Sequence, residues 1–399
     1  MKTIDVTRMA HTEIRRQDLQ ENSGKQTIYI RADGNSQIGV GHQMRCLSIA
    51  DELVKRNQKV VFLTADESGT VLPKSRGYEC IVLYSDDQKP MEEIPKLREL
   101  LQKECRKAVL LLDSYALTQE YAEALKEAAC LVYLDDYGKE YWPVDCVINY
   151  NIYGPDMPYD RLYPGNRKTG DSETAAGQEK ILLLLGSTYA PLRKEFADTK
   201  HIPKKQVTDV LITTGGADAY NVAGQLAERL AAKVNHAGNR TDHADNREKS
   251  SIRYHVVSGA FHTFREYLQE LSGKYPNIII HENVTQMAEL MEQCDLAVSA
   301  AGSTLYELCA VQVPTVYFHF VENQELPARY FKEKTEMIGC GNFADEPEQV
   351  LERLYQAVRR IEQDEQLRNR IAESMKNVTD GKGAERIAEC LCRRFQRKN

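Results

Sequence analysis

The sequence predicts an α/β fold in two consecutive units, each a parallel sheet covered by helices. Three observations carry this expectation. Short, continuous apolar runs recur along the chain, each followed by an amphipathic stretch. Such alternation marks strands buried on both faces and joined by crossover helices. The pattern starts afresh at VTDVLITTGG (207–216). The length of 399 residues exceeds one ordinary core, since domains average about 100–200 residues.

The elements follow in order. TIYIRA (27–32) reads as a strand and 42–57 as a helix; VVFLTA (60–65) and CIVLY (80–84) are further strands. Residues 91–105 are helical, AVLLLDS (108–114) is a buried strand, 118–128 a helix, and CLVYLDD (130–136) and CVINYN (146–151) strands. ILLLLG (181–186) returns to a strand. The second unit repeats the plan: strand 207–216, helix 221–234, strand 252–259, helix 262–272, strand 278–283, helix 285–293, strand 295–300, then a glycine turn and a helix through 310. PTVYFHF (314–320) is expected to close the strand series, with helices at 347–363, 365–375 and 383–397. This gives a flexible lead at 1–25, a first domain at 26–200, a second at 201–378 and a terminal helix at 379–399. The stretches 165–180 and 236–251 are polar and aperiodic and read as surface loops.

Composition narrows the function classes. The formal net charge is −7, which argues against a broad nucleic-acid surface. A small anionic ligand stays open, because a few backbone N–H groups can hold phosphate without net positive charge. No apolar run approaches the ~20 residues that span a bilayer, and residues 1–25 lack the apolar centre of a signal peptide. The ten cysteines include no CxxC pair and read as reduced, mostly buried thiols of a cytoplasmic protein.

Ligands of open α/β sheets bind outside the carboxyl ends of the strands, so residues there are the candidates. In IGVGHQMR (38–45), Gly39 and Gly41 form a strand-to-helix turn, but His42 stands where a phosphate loop would carry its lysine. Neither GxxxxGK[ST] nor GxGxxG fits, so triphosphate hydrolysis and nicotinamide binding lose support. A helix start disfavours imidazolium, which suits His42 as a general base; a structural histidine bonding the turn is the alternative. In SAAGSTLYEL (299–308), a strand ends in small residues and a helix opens with Gly302, Ser303 and Thr304. Free N–H groups there make an anion site. Glu307, one turn on, is within reach of ribose hydroxyls, or else lies on a solvated face. TTGGAD (213–218) offers Gly215 and Gly216 for close backbone approach. The acidic strand ends at Asp113 and at Asp135–Asp136 show no metal-site spacing.

The ordered set RADGNSQIGVGHQMRCLSIADEL, LLLDSY, YLDD, NYNIYG, LGSTYAPLRKEF, TTGGAD, SAAGSTLYELCAVQVPTV and VENQ spans about residues 27–335. It resembles the UDP-sugar hydrolases of pseudaminic acid biosynthesis, which release UDP from UDP-2,4-diacetamido-2,4,6-trideoxy-β-L-altrose. That family is similar in fold to GT-B glycosyltransferases such as the peptidoglycan N-acetylglucosaminyltransferase. The resemblance implies two Rossmann-like domains facing a cleft, the second holding UDP and the first presenting a catalytic histidine, His42. It further implies that Gly39, Gly41 and Arg45 of the first turn line the substrate, together with Tyr189 and Arg193 of STYAPLRKEF. On the UDP side it implies Gly215, Gly216, Gly302, Ser303, Thr304, Glu307 and Asn323. No cofactor and no metal are implied, and the partner is the UDP-sugar alone, without nucleic acid or membrane insertion. The reaction expected is water attack at the anomeric carbon with inversion. Transfer of the sugar to an acceptor is the alternative.

Overall fold

In the computed structural model, the residues described are 26–34, 40–104, 106–164, 180–216, 218–237, 252–259 and 262–396. The expected lead, Gly39 and most of the two polar insertions lie outside them.

The first half holds β1 (Thr27–Ala32), α1 (Gly41–Lys55), β2 (Lys59–Thr64), α2 (Val71–Ser75), β3 (Glu79–Val82), α3 (Ile94–Gln102) and β4 (Ala108–Asp113). It continues through α4 (Gln119–Leu125), β5 (Ala129–Leu134), β6 (Cys146–Asn149), α5 (Tyr159–Leu162), β7 (Leu182–Leu185) and α6 (Glu195–Asp198). The seven strands form one sheet in the order β3-β2-β1-β4-β5-β6-β7, every pair parallel. β1 and β4 are buried along their whole length, as the continuous apolar runs require. Ile28 and Ile30 pack with Leu47, Ile49, Ala50 and Leu53 of α1; Tyr29 faces the other way, to Leu97, Leu101 and Tyr121. Each such Leu or Ile buried in full contributes about 1.5–3 kcal/mol.

The second half runs β8 (Asp209–Thr213), α7 (Val222–Ala237), β9 (Arg253–Ser258), α8 (Arg265–Lys274), β10 (Ile278–Glu282), α9 (Met287–Gln293), β11 (Leu296–Ala300), α10 (Thr304–Val311) and β12 (Thr315–His319). Then come α11 (Glu325–Lys334), β13 (Ile338–Asn342), α12 (Pro347–Gln363), α13 (Glu365–Met375) and α14 (Gly383–Gln396). Its strands lie in the order β10-β9-β8-β11-β12-β13, again all parallel. Relabelled from its own first strand, this is the order of the first sheet without its last strand. The molecule is therefore an α/β protein of two Rossmann-like sheets. In each, the order reverses between two adjacent strands, β1|β4 and β8|β11, and those crevices are where such sheets hold ligands.

One expectation needs correction. The strand series does not close at 314–320, because β13 adds a sixth strand to the second sheet. Its sequence, IGCGN, has no apolar run. The reason is packing: a Cβ on Gly339 would lie 2.9 Å from the Tyr317 ring of β12, so the neighbour demands a glycine that weakens the strand signal. β5 also stops at Leu134 rather than 136, which releases Asp135 and Asp136 into the crevice loop. Helix α14 returns to the first half: Ile387, Ala388, Leu391 and Phe395 share one buried cluster with α1. Among the described residues, no helix is long and apolar enough to cross a membrane.

Candidate active site

His42 is the second residue of α1, at the β1|β4 crevice. Its Nδ1 lies 2.6 Å from Oδ1 of Asp113, the last residue of β4. A bare Nδ1 would set a lone pair against a carboxylate oxygen, so the satisfied arrangement is Nδ1–H donating to Asp113. That leaves the lone pair on Nε2. Arg45, one turn along α1, donates from Nε to Asp113 Oδ2 (2.7 Å) and from Nη2 to Oδ1. Its Nη1 reaches both oxygens of Asp136 (3.0 and 2.9 Å) and the Tyr150 hydroxyl (2.8 Å). Burial works against the charge on Asp113, yet Arg45 and His42 hold its carboxyl below the usual range. Tyr115 stands edge-on to His42, ring centroids 4.7 Å apart, and donates to Asp136 Oδ2 at 2.7 Å. Cys46 lies 3.3 Å from Asp113, but burial first and Asp113 second push its thiol well above the ordinary value, so it is no nucleophile at neutral pH.

Two helix starts compete for an anion in the second half, and one is already filled. At α7, Asp218 accepts from the backbone N–H of Val222 (2.8 Å) and Ala223 (2.9 Å). A phosphate there would meet that carboxylate. At α10, Ser303 is the N-cap and no side chain caps the helix. The N–H groups of Gly302, Leu305 and Tyr306 bond to the carbonyls of Ala300, Gly302 and Ser303 at 2.8, 3.1 and 3.0 Å, so those of Ser303 and Thr304 are the ones left to an anion. A Cβ on Gly302 would find only Gln324 Nε2, at 4.0 Å. Among the described residues, Gly302–Thr304 is thus an open anion turn at the β8|β11 crevice.

The other sequence candidates fall as follows. Gly41 is exposed with open space around it, as are Gly215 (φ +90°) and Gly216. Gly259 abuts the Gly215–Gly216 backbone so closely that a Cβ would lie 2.6 Å from Gly216 O. Asn323 is exposed on a short 3-10 turn, Glu322–Gln324, and it is the amide of Gln324 that reaches over Gly302. Tyr189 lies in the segment between β7 and α6, with Arg386 and Cys390 of α14 as neighbours. Arg193 and Glu307 come together, Nη2 to Oε1 at 3.9 Å, and Arg193 also pairs with Glu195 at 3.1 Å.

Burial pushes the Glu307 carboxyl up to about 7, with Arg193 opposing and Glu195 adding. Because the folded chain then holds its proton more tightly than the unfolded chain, Glu307 lends stability in full below its unfolded range and loses it as pH rises towards about 7. Glu362, likewise raised to about 7 by burial, acts in the same direction. Glu307→Gln should flatten the fall in stability between about pH 4.5 and pH 7, measured by chemical denaturation. An unchanged slope would remove Glu307 as its source.

Sequence reading named Arg45 for substrate contact but gave no role to Asp136, Tyr150, Asn151 or Tyr306, and saw Asp113 only as a strand end. These residues connect the two halves. Asn151 Nδ2 donates to Asp136 Oδ1 at 3.2 Å, and the Tyr306 hydroxyl on α10 accepts from Ile152 N–H at 3.0 Å. Spacing along the chain carries no trace of these contacts; only the shared residue chemistry at strand ends could have flagged Asp113 and Asp136.

Comparisons with known proteins agree with this architecture. Residues 209–389 match the glycosyltransferase family 28 C-terminal domain. A UDP-2,4-diacetamido-2,4,6-trideoxy-beta-L-altropyranose hydrolase of Campylobacter jejuni is 24% identical over 77% of this chain and 96% of its own. The chain is a distant relative of these hydrolases. The spore coat polysaccharide biosynthesis protein SpsG of Bacillus subtilis is 26% identical over 91% of the chain and 97% of its own length. An uncharacterized protein of Methanocaldococcus jannaschii is 27% identical over 74% of the chain, which spans 56% of that relative's length. Among solved structures, Acinetobacter baumannii MurG aligns with a TM-score of 0.57 at 14% identity, over 93% of this chain and 99% of its own. The UDP-GlcNAc 2-epimerase of Neisseria meningitidis, bound to UDP-GlcNAc, aligns at 0.56 and 13% identity, over 92% of this chain and 100% of its own. These show a GT-B fold. Among the described residues, no group of three or more His, Cys, Asp or Glu stands together as a metal site.

Proposed function

We propose that the protein hydrolyses a UDP-activated 2,4-diacetamido-2,4,6-trideoxyhexose at the anomeric C–O bond, releasing UDP and free sugar with inversion. The observation that carries this reading is the His42–Asp113 pair at 2.6 Å, held in one bonded network with the helix that opens at the Gly302–Thr304 turn. In the reading, residues 26–200 present the base and residues 201–378 hold UDP. His42 Nε2 takes a proton from water, and the water oxygen bonds to C1 as the C1–O bond breaks. The bonding electron pair leaves on the diphosphate. Asp113 fixes the ring and stabilises the imidazolium formed. The N–H groups opening α10 take up the leaving charge, with no metal in the scheme. Glu307 is assigned to the ribose, with Gly215, Gly216, Arg193 and Asn323 around the nucleotide and Gly41 and Tyr189 completing the lining. We place the reaction in the cytoplasm, on a route to a surface polysaccharide or glycan, in line with the names of the relatives.

The match to a glycosyltransferase family 28 domain favours a second reading, transfer of the sugar to an acceptor. Incubation with the UDP-sugar and no acceptor separates the two. Free sugar is the expected product, and sugar transfer seen only after an acceptor is added would decide for the transferase. His42→Gln should lower kcat by about 10²–10⁴-fold while UDP still binds, because general base catalysis supplies that range. Retained turnover would remove His42 from the chemistry.

A further inference from the structure

The two halves touch at several points, and one of them is buried and polar. On the exposed rim, Lys334 pairs with Asp156 at 2.7 Å. Tyr306 is different in kind. It is the third residue of α10, directly after the anion turn, and only 2% of it is exposed. Its hydroxyl accepts the Ile152 N–H at 3.0 Å and lies 3.4 Å from Asn151 Oδ1. Its ring stands edge-on to Tyr150 at 5.8 Å. Asn151 in turn donates to Asp136, and Tyr150 accepts from Arg45. Arg45 and His42 share Asp113. An unbroken chain of polar contacts, buried at Tyr306 and part-buried from Asp136 onward, thus runs from the first turn of α10 to the imidazole.

We propose that Tyr306 is a positioning residue that couples an occupied Gly302–Thr304 turn to the setting of His42. An anion drawn onto the N–H groups of α10 shifts that first turn, and Tyr306 travels with it. In a close-packed interior the hydroxyl cannot move without its partners at residues 151 and 152. Their displacement reaches Asp136 and Arg45, and so the carboxylate that orients the base. The base is then aligned when the diphosphate is seated and less well aligned when the turn is empty. A ring without the hydroxyl keeps the packing and loses the link. The Ile152 N–H would then be buried without a partner in either state, so the loss does not depend on ligand.

The inference rests on the reading that this turn holds UDP, and the test separates the two. The imidazole NMR signal of His42, assigned by its loss in His42→Gln, is followed as UDP is added to the full chain. In the native protein the signal should move on saturation; in Tyr306→Phe it should stay, with the UDP Kd changed less than about threefold. For turnover of the UDP-sugar, Tyr306→Phe should lower kcat by about 10–100-fold, the range that misplacement of a catalytic group by an ångström produces. Asn151→Ser cuts the same chain on the other half. Its loss should not add to that of Tyr306→Phe in the double variant, whereas two independent structural defects would add. UDP that binds without moving the His42 signal, or moves it equally in Tyr306→Phe, would overturn the coupling alone. Failure of UDP to bind the native protein would overturn both the ligand and the coupling.

Discussion

Asp113→Asn should keep UDP binding and lose turnover by about 10²–10⁴-fold, as expected when a general base is lost. The substitution keeps shape and removes charge. If the amide turns its oxygen to His42, the Nδ1–H bond survives, but nothing offsets the imidazolium formed on proton transfer. If it turns its NH₂ group, Nδ1 becomes the acceptor and the proton moves to Nε2, where a base needs its lone pair. Arg45 retains Asp136 as a partner at 2.9 Å, so the variant should fold. Steady-state kinetics and calorimetric UDP titration on one preparation read both effects. Turnover within threefold of the native enzyme would show that Asp113 orients nothing that matters to the reaction.

Glu93→Leu should destabilise the first half by about 3 kcal/mol, the low end for breaking a buried ion pair, because Arg31 keeps Asp33 as a second partner. Arg31, at the end of β1, is 1% exposed; its Nε and Nη2 donate to the two oxygens of Glu93 at 2.8 and 2.6 Å. Tyr121 and Ser85 donate to the same carboxylate at 3.1 and 2.6 Å. Domains are stable by only about 5–15 kcal/mol, so thermal unfolding should begin markedly earlier. The paired change Arg31→Met with Glu93→Leu should recover little of the loss unless Asp33→Asn is added, since buried Asp33 would otherwise lose its own cation. Asp33 would keep the Ala65 N–H at 2.8 Å. A single variant as stable as the native chain would show that Asp33 alone suffices to satisfy Arg31.

Most of the fold was legible because continuous apolar runs leave few choices. β1, β4 and β11 are buried throughout; AVLLL announces β4 as an unbroken apolar stretch, while TIYIRA and LAVSA are mainly apolar around Arg31 and Ser299. β13 was not legible, since its glycines answer to Tyr317, a residue on another strand. Of the candidate site, the parts written as short motifs were visible: His42 after its glycine, and Gly302–Thr304 at a helix start. The Arg45 network was not, because its acidic partners lie 68 and 91 positions away and only the sheet brings them together. Asn323 and Gln324 show the limit at finer grain. Sequence picks the motif VENQ, but the turn geometry decides which amide reaches over Gly302.

The return of α14 to α1 bears on how the molecule is made. Leu47, Ile49 and Leu53 on the His42 helix share their buried cluster with Ile387, Leu391 and Phe395, and Arg56 meets Glu385 at 3.6 Å. During synthesis the first half leaves the ribosome long before those residues exist. At about 5–20 residues per second, the nearly 200 residues still to come take roughly 10–40 s. Throughout that time the helix that carries the base has an uncovered apolar face. The first half to be translated is therefore the last to be finished, and a nascent chain stalled before residue 383 presents an adhesive surface for chaperones to guard.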